Sequence, residues 1–120
     1  MTSFTRSDAR STLFPYTTLF RSKWYVDQAH ALGLSVYIGT LLPIEDWRTY
    51  APFREELKNQ VNEWIRLTDG FEGCIDFDLA VQDPDHPAAF KAGYDSGDHL
   101  HPSSAGYKAM ADAVPKSFLY

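Results

Sequence analysis

The sequence has little that would suit it to a disulfide scaffold, a nucleic-acid partner or a membrane span. One residue in 120, Cys74, is cysteine, so no internal disulfide can form and the redox compartment stays open. Basic side chains are outnumbered, 11 Lys and Arg against 16 Asp and Glu, and the net charge of −5 offers no basic surface for a phosphate backbone. Nucleic acid is therefore not an expected partner. No run approaches the roughly 18 consecutive apolar residues that a membrane-spanning helix needs. What is present, 44% hydrophobic and 15% aromatic residues, suits one globular domain and leaves no room for two.

Charge divides unevenly along the chain. Residues 1–22 carry +2 and the remainder −7. The first stretch lacks helical or strand periodicity and has no basic start followed by an apolar core, so it does not read as a secretory signal. Within it, Thr12 to Ser22 (TLFPYTTLFRS) is similar at every position to the conceptual translation of a short-read sequencing adapter. Residues 1–22 are accordingly expected to be an artefactual, non-domain segment, with the authentic polypeptide beginning near Lys23.

From Lys23 the pattern is regular. Tyr25, Ala29 and Leu32 share one helical face, and Gly33 follows at the position of a left-handed cap. Leu34 to Leu41 reads as a buried parallel strand, ended by Pro43, with a loop over 44–50 leaving its carboxyl end. Pro52 to Leu67 predicts a helix with Phe53, Leu57, Val61, Trp64 and Ile65 inward, and Arg54, Glu55, Lys58, Asn59 and Glu63 outward. Gly73 to Phe77 predicts a second strand, and Asp83 to Pro87 a turn-rich connector opening a long irregular arm to His101. A last helix is expected behind Pro102 and Ser103, with Tyr107, Met110, Ala111 and Val114 on one face. Strands separated by helices imply an α/β domain with a parallel sheet.

Acidic and imidazole groups crowd into Asp95-Ser96-Gly97-Asp98-His99-Leu100-His101-Pro102. A carboxylate three residues before a histidine, in a short turn, can accept from the imidazole Nδ1–H and leave Nε2 free as a base. Asp98 and His101 have that spacing, although a solvated acidic loop accounts for the composition equally well. His99, with Asp95 and Asp98, lacks the separated ligand pattern of a tight metal site, so no metal is expected. Asp76 and Asp78 read as hydrogen-bonding residues at a strand end, and Cys74 as a small buried hydrophobe. Trp47 and Tyr50 are placed to line an acyl or sugar pocket, while Trp24, Phe53 and Trp64 read as core.

The run Tyr94 to Val114 (YDSGDHLHPSSAGYKAMADAV) resembles the C-terminal block of the SGNH hydrolases, the GDSL-type esterases and lipases, marked by Asp-x-x-His-Pro and a Gly-Tyr-containing helix. The similarity runs back through Gly70 to Asp78 and Gly39 to Pro43 to about Lys23. The resemblance implies part of a three-layer (α/β/α), flavodoxin-like domain whose N-terminal half is missing, with residues 23–120 as its C-terminal half. It implies a serine ester hydrolase needing no cofactor and no metal, in which His101 is the base and Asp98 its orienting acid. The family's Gly-Asp-Ser block and oxyanion-hole blocks have no counterpart here, so the fragment is expected to be inactive. Ser35, Ser96, Ser103 and Ser104 are not expected to replace the nucleophile. Leu41-Leu42-Pro43 and Tyr94 to Gly97 are similar to bacterial branches related to lysophospholipases and acetylxylan esterases, which implies a small acyl ester of a carbohydrate or lipid alcohol as substrate. The alternatives are a non-catalytic carbohydrate-binding or interaction module on the same fold, or a non-functional truncated product.

Overall fold

The computed structural model describes residues 21–120, so most of the segment set apart above lies outside the described residues. Helix α1 covers 21–31. It closes in a Schellman motif: Gly33 takes φ 76°, its N–H donates to the His30 carbonyl, and the Leu34 N–H reaches back to Ala29 at 3.0 Å. The helix stops where the glycine predicts. Its buried residue, however, is Val26, whereas Tyr25 and Leu32 of the expected inner face are 68% and 77% exposed.

Strand β1 (Tyr37–Gly39) pairs in parallel with β2 (Gly73–Ile75), with Ile38 opposite Cys74, and α2 (Pro52–Leu67) is the crossover between them. The α/β class with a parallel sheet is observed. Both strands are shorter than the sequence predicts and only half-buried, because the ladder between them spans three residue pairs. Leu34 and Leu41, read as strand, are exposed flanks. Phe77, read as the end of the second strand, instead starts a short helix α3 (Phe77–Val81), whose N-cap is Asp76 accepting from the Leu79 N–H.

The expected irregular arm is partly ordered. Gln82–Asp83 (β3) and His86–Phe90 (β4) form an antiparallel hairpin around Pro84 and Asp85. Two prolines in five residues hid it, since proline demotes a strand in sequence; here Pro87 sits on a two-stranded ribbon, where a missing N–H is tolerated. Helix α4 (Ser104–Ala113) begins as expected, with the Ser103 hydroxyl accepting from the Gly106 N–H, and a 3-10 turn (Lys116–Phe118) follows. The predicted inward face of α4 is not buried: Tyr107 is 54% exposed and the buried residue is Gly106.

The core comprises Val26, Val61, Ile65, Val81 and Phe90, with polar groups among them. Asn62 is 1% exposed and holds both backbone groups of Leu41, donating from Nδ2 to the carbonyl and accepting from the N–H at 2.7 Å. That pair fastens the loop after β1 onto α2. Lys58, expected on the outer face, is buried instead; its ammonium pairs with Glu55 at 3.0 Å, and such a pair makes burial tolerable. Phe53 and Trp24, read as core, are exposed.

Candidate functional site

The stretch 91–103 is a tight loop built from its own carboxylates. Asp95 Oδ1 accepts the N–H groups of Gly97 and His99, while Asp95 pairs across the loop with Pro102 and the Ser96 N–H donates to the His101 carbonyl. These bonds hold His99 at φ 60°, a left-handed conformation uncommon for residues other than glycine. Asp98 Oδ1 then accepts from the N–H groups of Leu100 and His101 and from the Ser96 hydroxyl. The second oxygen of Asp98 is left for the imidazole.

It meets Nδ1 of His101 at 2.5 Å. The two residues singled out by spacing are therefore in contact, and the His101 side chain is 65% exposed rather than enclosed. The His101 imidazole, followed by the N–H groups of His101 and Leu100, holds the Asp98 carboxyl well below the usual carboxylate range. In the neutral ring, a carboxylate at Nδ1 favours the tautomer with the proton on Nδ1 and the lone pair on Nε2. Among the described residues nothing hydrogen-bonds to Nε2.

Pairing alone does not single out His101, because each of the four histidines stands against a carboxylate. His30 meets Glu72, tying α1 to the start of β2, and His86 meets Glu45, tying the hairpin to the loop after β1. His99 meets Asp95 at 2.6 Å, a second acid–imidazole pair in the same loop. In the sequence, His99 with Asp95 and Asp98 stands only as a metal candidate that lacks the separated ligand pattern of a tight site. The four-residue spacing of Asp95 and His99 was the available signal. Among the described residues no cluster of three or more potential ligands is found.

Leu100, between the two histidines, turns into a cavity of about 620 Å³. Leu41 and Trp47 from the loop after β1 and Phe53, Leu57 and Val61 along α2 line the rest. Trp47 thus lies where a pocket was expected, whereas Tyr50 does not line it and instead closes a turn by donating its N–H to the Trp47 carbonyl. The helical period places Phe53 and Leu57 on the inner face of α2, and Leu100 carries no signal in the sequence.

Asp76 and Asp78 take up hydrogen-bonding roles away from the imidazole. Arg66 bridges them, with Nε on Asp76 at 2.8 Å and one terminal nitrogen on Asp78 at 2.9 Å, and Thr40 adds its hydroxyl to Asp76. Arg66 lowers the Asp76 pKa, whereas burial raises that of Asp78. Cys74 is half-buried in β2, and burial pushes its thiol up, away from thiolate chemistry. Among the serines near the turn, Ser96 donates to Asp98, and Ser103 donates to the Gly93 carbonyl while capping α4.

The chain thus combines an α/β scaffold with a parallel crossover and an exposed imidazole held against a carboxylate. The model of the GDSL-like lipase/acylhydrolase family matches residues 4–109, and the chain belongs to that family. Membership supports an acylhydrolase-type function with an ester as substrate. A comparison with curated proteins returned no match.

Proposed function

We propose that this chain supplies the acid–base part of a serine-dependent carboxylic ester hydrolase, with His101 as general base and Asp98 as the residue that orients it. One observation carries the reading: the 2.5 Å contact from Asp98 to Nδ1 of an exposed His101 ring. In the reaction, a serine hydroxyl attacks the ester carbonyl while Nε2 of His101 takes its proton. The same nitrogen returns that proton to the leaving alcohol, and Asp98 stabilises the imidazolium formed in between. Residues 23–120 then form the C-terminal half of a three-layer domain, and the serine and oxyanion donors come from a Gly-Asp-Ser-bearing half that this sequence does not carry. Family membership, not pairing, favours His101 over His99, since the Asp-x-x-His-Pro order falls on Asp98, His101 and Pro102.

The test is to restore the coding sequence upstream of Lys23 and assay p-nitrophenyl acetate. General base catalysis contributes about 10² to 10⁴ in rate, so His101→Ala is expected to lower kcat/KM by that factor. Full activity in that variant would overturn the assignment. The 120-residue chain alone is expected to hydrolyse the ester no faster than buffer.

A further inference from the structure

We infer that His99 is a positioning residue for His101: its ring occupies Asp95 and so reserves Asp98 for the imidazole two residues on. The inference rests on the reading of His101 as base and deepens it. The loop holds two acid–imidazole pairs of one design. Asp98 gives Oδ1 to the N–H groups of Leu100 and His101 and Oδ2 to the His101 ring, while Asp95 gives Oδ1 to the N–H groups of Gly97 and His99 and Oδ2 to the His99 ring at 2.6 Å. Asp95 is the inner acid of the two, 19% exposed against 49% for Asp98. It also faces Pro102 across the loop, beside His101, so an unclaimed Asp95 oxygen would put a second acceptor in the same turn as the His101 ring. Ser96 carries the constraint onward. It follows Asp95 in the chain, its N–H donates to the His101 carbonyl at 3.0 Å, and its hydroxyl donates to Asp98 at 3.1 Å. Fixing Asp95 therefore fixes the residue that touches both members of the Asp98–His101 pair. His99 holds φ 60° while its ring reaches back to Asp95, and glycine and asparagine also adopt that backbone state.

Those two residues separate the ring from the backbone. His99→Gly keeps the φ and the N–H and loses the ring, whereas His99→Asn places Nδ2 where the imidazole carries Nδ1 and can still donate to Asp95. In the 120-residue chain, the His101 tautomer is read from nitrogen-15 shifts at a pH where imidazole is neutral. His99→Gly is expected to turn a His101 ring protonated on Nδ1 into a mixture of tautomers with an unchanged circular dichroism spectrum, and His99→Asn to show the parent pattern. In the enzyme restored with its upstream half, His99→Gly is expected to lower kcat about 10²-fold at an unchanged KM, the cost of a ~1 Å misplacement of a reacting group, and His99→Asn to recover most of that loss. A parent-like His101 tautomer in His99→Gly would overturn the inference, as would a ring as mixed in His99→Asn as in His99→Gly. Unchanged kcat in His99→Gly, in an enzyme that His101→Ala disables, would overturn it too. The tautomer does not depend on turnover, so these results leave the His101 assignment standing. Full activity in His101→Ala, together with a tautomer that follows His99, would remove the base and keep His99 as the residue that orients the ring.

Discussion

The scaffold of residues 37–81 and the loop of residues 91–103 are held together by different means. In the scaffold, groups far apart in sequence meet: Asn62 grips Leu41, Arg66 bridges Asp76 and Asp78, and Thr40 joins the same network. In the loop, the bonds that set the acid–imidazole geometry span two to four residues, from Asp95 to Gly97 and His99 and from Asp98 to Leu100 and His101. Long-range bonds report on the whole fold, so breaking one should cost global stability. Short-range bonds report on the turn, so breaking one should disturb the site while the fold persists.

The largest expected effect is in the scaffold. Asn62→Ala deletes two part-buried hydrogen bonds to the Leu41 N–H and carbonyl, a loss of about 2–3 kcal/mol measurable by urea denaturation. Arg66→Ala should follow at about 2–3 kcal/mol, since it strands a buried Asp78 beside Asp76. Gly106→Ala probes the seam between the loop and α4. An added Cβ would lie 2.5 Å from the Tyr94 carbonyl and 2.9 Å from Pro102, so a cost of about 1–3 kcal/mol and a displaced loop are expected, seen as shifts in the His101 resonances. Asp95→Ala should be smallest in global terms, within about 1 kcal/mol, yet it should broaden the amide signals of Gly97 and His99. Equal losses from Asn62→Ala and Asp95→Ala would erase the distinction between the two regions.

Acid sharpens the same comparison. Asp98 and Asp76 have pKa values lowered by folding, so their stabilising contributions are present above the unfolded carboxylate value, near pH ~4, and are lost as pH falls through the folded values. Asp78 works in the opposite sense. Its pKa is raised by burial, so its contribution is full below the unfolded value and is lost as pH rises through the folded one. Asp78→Asn is expected to steepen the rise in stability between pH 3 and pH 6, and Asp76→Asn to flatten it, in urea midpoints taken across that range.

The contrast also explains what could be read beforehand. The Asp98–His101 contact, the Ser103 cap and the end of α1 at Gly33 rest on spacings of three residues or fewer, which a sequence displays directly. The crossover helix α2 was legible from end to end because its period repeats over sixteen residues. The burial of Lys58 was not, because it depends on how α2 packs and on Glu55 offering a carboxylate one turn away. The β3–β4 hairpin was hidden by Pro84 and Pro87, and the role of Leu100 by its being a lone apolar residue between polar neighbours. The exposure of Tyr25, Leu32 and Tyr107 marks the limit of periodicity: it predicts a face, and packing decides whether that face is covered.

The most direct test is the tautomer of His101, read from nitrogen-15 shifts and one-bond couplings at a pH where imidazole is neutral. The geometry predicts the proton on Nδ1, facing Asp98, with Nε2 unprotonated, and a return to mixed tautomers in Asp98→Ala. A parent protein with the proton on Nε2, or a tautomer unaffected by Asp98→Ala, would contradict it.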